Sequence, residues 1–313
     1  MKYFGKKLLA LVVTVLVVSF LVYAAFSIIP GDPATSILGT EATPEQIAAL
    51  REEMGLNDPL LTQYGRWLLN FIQGDMGTSY NYKMPVAQMI AEKIPVTLAL
   101  SVMSFLILVA VAIPLGIFCA RRAGGWVDRS IMILNQVIMA VPSFFSGILI
   151  TLVFGLILKL FIPGGYVSYQ KDFWGFIGYL IFPAIAVALP KIAMAVKLLR
   201  SSVTEQMKLD YVRTAYSRGN RTKGVLYGHV LKNALMPVVT FLGTALADML
   251  AVSIIIEQVF RVPGIGRIIL TSISNRDYPV VMAIIVCVAS LVILINFLVD
   301  LLYKKIDPRI TLD

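Results

Sequence analysis

Charge is missing from long stretches of this chain. Residues 8–31, 94–120, 130–158, 173–190 and 278–299 hold no Asp, Glu, Lys or Arg, and a sixth apolar run, 233–256, is interrupted only by Asp248. A helix that crosses a bilayer needs about 20 apolar residues, with a range of roughly 17 to 25. The pattern predicts an all-α membrane protein with six transmembrane helices. Pro114, Pro142, Pro183 and Pro190 fall inside these runs. Each deletes a backbone donor, so each predicts a bend in its helix.

The longest polar interval follows the first run and predicts structure of its own. Thr43-Pro44-Glu45-Gln46 has the makings of a capping box with proline at the first helical position, opening a helix that Gly55 ends. A second helix is expected after Asp58-Pro59, with Leu61, Tyr64, Trp67, Leu68 and Phe71 on one face and Gly74 at its end. That face has two readings, as a surface resting on the membrane or the helix bundle, or as part of a dock or lid for an external partner. The chain divides on this pattern into an N-terminal helix (1–30), an outer loop with short helices (31–95) and a core of five further spans (96–313).

Composition agrees with the pattern, since 58% of residues are hydrophobic and 14% charged, against roughly a quarter charged in a soluble domain. The net charge of +9 raises a nucleic-acid partner, and its placement argues against one. Basic loops resist translocation and stay cytoplasmic. With the N-terminus inside, the inner segments carry Lys2, Lys6, Lys7, Arg121, Arg122, Arg129, the run of Lys and Arg from Lys197 to Lys232, and Lys304, Lys305 and Arg309. The outer loop is rich instead in Asp and Glu. This predicts an N-in, C-in topology. The first run is longer than the 7 to 15 residues or so of a signal-peptide apolar region, so it is expected to be a retained helix. Cys119 and Cys287 fall in spans and read as packing residues.

The cytoplasmic stretch of about residues 201–237 holds the most specific signal. Residues 205–217 have helical character, Gly219-Asn220 interrupts it, and 222–236 resumes with Val225, Leu226, Val230 and Leu231 on one stripe. The run Asp210-Tyr211-Val212-Arg213-Thr214-Ala215, with Gly219 four residues on and Asn233-Ala234-Leu235-Met236-Pro237 beyond, resembles the coupling loop of ABC-importer permeases. In that superfamily the pattern is Glu-Ala-Ala, three residues, then Gly. Here Arg213-Thr214-Ala215 stands in its place, which resembles the dipeptide, oligopeptide and nickel branch and lacks the acidic residue. Matches to that branch continue at Ile29-Pro30-Gly31-Asp32-Pro33, at residues 74–79, at Pro163-Gly164-Gly165, at residues 260–267 and at residues 275–279.

The resemblance implies an ABC type I importer permease fold in a bacterial inner membrane, moving peptides or a nickel-type solute. It implies a second, similar permease, two cytoplasmic ATPase subunits and an external substrate-binding protein as partners. Asp210, Tyr211, Arg213, Thr214, Ala215 and Gly219 would form the contact with one ATPase. Asp248, the one acidic residue these apolar runs contain, is costly in a bilayer and is expected to line the path for a cationic solute or to be paired within the bundle or with the partner permease. Lys159, Lys191 and Lys197 lie near span ends, where long stems reach the surface. His229 is the sole histidine and reads as a surface residue. No phosphate-binding loop, His-Glu-x-x-His or Gly-x-Ser-x-Gly motif occurs, so no catalytic residue, metal site or cofactor is expected and the energy must come from a partner. The competing reading is a self-sufficient secondary transporter or channel, for which Asp248 alone would have to supply the ion coupling.

Overall fold

The computed structural model describes residues 2–29, 32–39 and 42–306. Pro30, Gly31 and Arg309, and the side chains of Lys2, Lys304 and Lys305, lie outside the described residues. In chain order the helices are α1 (Lys2–Ile28), α2 (Pro33–Leu38), α3 (Pro44–Glu53), α4 (Leu60–Ile72), α5 (Val86–Arg121), α6 (Trp126–Ala140), α7 (Ser143–Ile150), α8 (Phe173–Gln206), α9 (Asp210–Ser217), α10 (Thr222–Val225), α11 (Leu231–Ala234), α12 (Met236–Phe260), α13 (Ile265–Ser274) and α14 (Tyr278–Ile306). π-helical segments follow α7 (Thr151–Ile157) and α10 (Leu226–Val230). No strand forms among the described residues.

Among the described residues five helices, α1, α5, α8, α12 and α14, are long and apolar enough to cross a membrane. The expected third span is broken: α6 and the stretch Ser143–Ile157 meet at 106°. Pro142 is the cause, because it sits in extended backbone at the head of α7 (φ −60°, ψ 143°). The sequence predicts a kink there and the chain makes a full break. Pro183 and Pro190, by contrast, lie inside the unbroken α8.

The chain forms two compact units, Met1–Pro95 with Gly264–Phe297, and Val96–Pro263 with Leu298–Asp313. In the first, the capping box forms as the sequence predicts, with Gln46 N–H on Thr43 Oγ1 and Thr43 N–H on Gln46 Oε1. The aromatic face of α4 rests on α1. Tyr64 meets Phe20 edge-on with centroids 5.2 Å apart, Trp67 lies against Tyr23, and Ser19 Oγ shares a 2.8 Å hydrogen bond with Tyr64 OH. Leu61 does not join this face and is 71% exposed.

The node of this unit is Asp277, fully buried. Its carboxylate accepts from Ser79 Oγ, from Tyr80 N–H at 3.0 Å and from Asn81 N–H at 3.4 Å. It thereby ties residues 74–79 to residues 275–279. Beneath it Val86, Ile90, Ile265, Val280 and Ile284 form an apolar core.

In the second unit α8 is the hub, with α5, α6, α7 and α12 packed on it. Buried alanines at 184, 186, 188, 193 and 195 of α8 and at 245 and 247 of α12 let backbones approach closely. Small residues do this work between membrane helices, where lipid is as apolar as the side chains. A buried polar seam joins α5 to α12: Thr97 Oγ1 donates to Glu257 Oε1 at 2.5 Å, and Ser101 Oγ lies 3.3 Å from Ser253 Oγ. At one end, Tyr179 OH donates to the Phe260 carbonyl at 2.5 Å and accepts from Gly164 N–H at 3.0 Å. That joins two of the sequence motifs, 163–165 and 260–267.

The charge-free run 173–190 ends well short of α8, which continues to Gln206. Each cation on the way is matched. Lys191 pairs with Asp248, Lys197 reaches Gln136, and Arg200 forks onto Asp128 with Nε–Oδ1 at 3.1 Å and Nη2–Oδ2 at 2.6 Å. Asp128 is 1% exposed and also accepts from Gly124 N–H.

Asp277→Ala strands three donors, and a lost hydrogen bond to a charged group costs about 1.5 to 3 kcal/mol. A clear drop in melting temperature of the detergent-solubilised protein is expected, smaller in Asp277→Asn. Asp128→Ala leaves the Arg200 guanidinium partly buried and unpaired. It is expected to destabilise by about 2 to 4 kcal/mol, whereas the double change Asp128→Leu with Arg200→Met recovers most of the loss, because an apolar pair of similar volume replaces a buried ion pair at little cost. Thermal unfolding followed by size-exclusion chromatography reads both.

Candidate functional site

The residues singled out between 201 and 237 fold into an amphipathic element fixed to the C-terminal end of α8. Val203, Gln206 and Met207 close α8; Leu209 then turns the chain in extended backbone, and α9 begins with Asp210 in its first turn. An acidic side chain there complements the helix dipole. Val212 and Ala215 are buried against Leu199, Val203, Val225, Leu226, Val230 and Val238. Tyr211 OH donates to Gln206 Oε1 at 2.8 Å, which ties α9 to the end of α8.

The other face is open. The Asp210 and Arg213 side chains are 94% and 79% exposed, Thr214 and Ser217 are exposed beside them, and the 3.4 Å contact between Asp210 and Arg213 is too solvated to add much stability. Ala215, within the Arg213-Thr214-Ala215 match, thus faces inward while its two neighbours face out. Gly219 ends the helix with φ 81°, a left-handed conformation that favours glycine after a helix C-terminus. Asn220 Nδ2 donates to the Ala215 carbonyl at 3.0 Å and completes the cap. The six residues predicted from the sequence are therefore brought together on one short helix and its cap. Beyond them the expected second amphipathic helix is divided into α10, the π segment and α11, which run on into α12 through Leu235, with Val225, Leu226 and Val230 of the expected stripe buried. Leu231 is only partly buried, and His229 lies exposed.

Asp248 stands at the midpoint of α12, and its Oδ2 lies 2.6 Å from Lys191 Nζ of α8. This is the pairing within the bundle that the sequence left open for Asp248. Lys191 turns to it and does not extend to the surface as a span-end lysine. The Asp248 side chain is nonetheless 58% exposed. Thr240 and Thr244, two turns and one turn before it, are exposed on the same face. Phe241 lies with its ring centroid 6.0 Å from Lys191 Nζ.

Sequence reasoning missed Lys191 as a partner and missed Glu257, buried in α12 one residue beyond the run 233–256. For Lys191 a usable signal existed, a basic residue and an acidic one each placed within a long helix. In the first unit a cavity of about 540 Å³ is lined by Tyr23, Asp32, Arg51, Gln63, Tyr80 and Tyr278 among others. Burial, and then the Asp277 carboxylate, push the Tyr80 phenol up to about 12, so it stays protonated.

Comparison with known proteins agrees with this architecture. Residues 112–312 match the family described as binding-protein-dependent transport system inner membrane component, and residues 1–101 match its N-terminal component. The chain is 35% identical over 308 residues to a probable peptide ABC transporter permease of Sinorhizobium fredii, covering 98% of each chain. It is 35% identical over 296 residues, 94% of each chain, to the oligopeptide transport system permease AppB of Bacillus subtilis. It is 37% identical over 310 residues, 99% of each chain, to the glutathione transport system permease GsiC of Pectobacterium atrosepticum. The chain therefore belongs to the binding-protein-dependent transport system inner membrane components, as a multi-pass permease subunit of an ABC importer in the bacterial plasma membrane and not itself the ATPase.

Proposed function

We propose that this permease pairs with a second, homologous permease to form a path for peptides, driven by two cytoplasmic ATPases and supplied by an external substrate-binding protein. The observation that carries the proposal is the construction of α9. Its polar face is free for a partner while its apolar face is packed on the inner end of α8. An ATPase that grips Asp210, Tyr211, Arg213 and Thr214 would move α8, and with it the helices packed on α8, between inward- and outward-facing arrangements. Ala215 sets the depth at which α9 sits, and Gly219 sets where it ends.

An N-in, C-in topology places α9 in the cytoplasm with the chain's densest run of Lys and Arg, as basic-inside placement requires. Asp248 and Lys191 then lie near mid-membrane, on the face proposed to line the path. The relatives named above carry peptide, oligopeptide and glutathione titles. Those titles support a peptide over a nickel-type solute.

Reversing the exposed charges, Asp210→Lys with Arg213→Glu, should leave membrane abundance nearly unchanged and cost no more than about 1 kcal/mol of stability, since neither side chain is buried and only the helix-dipole contribution of Asp210 is lost. Uptake and transport-coupled ATP hydrolysis are expected to fall at least tenfold, about 1.4 kcal/mol of lost contact, and the ATPase should no longer co-purify in mild detergent. Gly219→Val, which forces a β-branched residue into left-handed backbone at about 1 to 2 kcal/mol, should weaken coupling in the same assay. Solute movement by the isolated chain in liposomes, with no ATPase present, would overturn the proposal in favour of a self-sufficient transporter or channel.

A further inference from the structure

The Lys191–Asp248 pair is placed where a charge is hardest to keep. Asp248 is central in the 25-residue α12, so at 1.5 Å per residue it lies about 18 Å from either end, near the middle of a hydrocarbon layer about 30 Å thick. Its side chain is more than half exposed on the surface of the chain. Hydrocarbon would not tolerate an exposed ion pair there, so this face meets water or protein. The polar character continues along it, through Thr244 and Thr240 on α12, whose hydroxyls are returned to the Phe241 and Met236 carbonyls.

We infer that Lys191 and Asp248 form a zwitterion-exchange site, at which the free ammonium and carboxylate ends of a short peptide replace the bond between the two side chains. The inference rests on the path reading above. A solute carrying both charges gives each side chain a new partner as it separates them, so no charge is left without a counter-ion. A solute with one charge leaves either Lys191 or Asp248 without a counter-ion near the middle of the membrane, where an unmatched charge is costly. The termini of a dipeptide stand up to about 7 Å apart, and the long lysine stem can swing to span that separation. The site therefore selects for two free termini together and not for a cation.

The test uses the complete importer, with its receptor and ATPases, in proteoliposomes. Uptake of alanyl-alanine, N-acetyl-alanyl-alanine and alanyl-alanine amide is compared at matched saturation of the receptor. The wild type should prefer the free dipeptide. The double variant Lys191→Met with Asp248→Leu removes both charges without stranding either. Its free-to-blocked uptake ratios are expected to fall at least tenfold towards unity. The single variants should diverge: Asp248→Asn, which leaves Lys191, favours the N-acetylated peptide relative to the amide, and Lys191→Gln, which leaves Asp248, favours the amide. If the double variant keeps the wild-type preference, or if all variants change uptake of the three peptides by one common factor, the pair is structural and the inference is overturned. A wild-type assembly that moves no peptide at all, or moves it without ATP, refutes the underlying path or motor reading, and that result is separable because it needs no variant.

Discussion

A charge within a bilayer must find its counterpart in the protein, because no water is there to solvate it. The long helix α8 depends on this rule. It carries Lys191, Lys197 and Arg200 in its second half and remains one helix because Asp248, Gln136 and Asp128 meet them. It continues for more than four turns beyond Pro190 and delivers Leu199 and Val203 to the core under α9. These contacts thus tie α8 to α6 and α12 along the stretch that leads to α9.

The same economy governs the loops. Motifs far apart in sequence meet in pairs around a single polar group. In one unit Asp277 gathers the donors of residues 79–81. In the other Tyr179 joins the turn at Gly164 to the end of α12 at Phe260. Each group is buried and has its hydrogen-bonding capacity used, so each loop is held in one shape where a polar turn would otherwise be free to vary. A transport cycle needs rigid bodies and defined places at which they bend. The chain's irregular points are the break at Pro142 and the π segments after α7 and α10, the second of which lies between α9 and α12.

Much of this was legible in the residues because it is local. Helix-length apolar runs, the Thr43–Gln46 box and the glycine that ends α9 all express preferences set within a few residues or by lipid itself. The face of α4 was also foreseen, apart from Leu61, since a 3.6-residue period needs no knowledge of what it covers. The family resemblance rested on short motifs whose order along the chain was visible without knowing that they pair in space.

What the sequence by itself determined, then, is the all-α membrane architecture, five of the six spans apart from their ends, and the glycine stop after α9. Tertiary structure alone decided which charge neutralises which, that Lys191 turns to Asp248 instead of the surface, that Glu257 lies buried inside α12, and that the bend at Pro142 is a break. The reason is physical. Apolar runs and caps depend on near neighbours in the chain, whereas an ion pair between α8 and α12 joins residues 57 positions apart, and its formation depends on a packing geometry that no local pattern encodes.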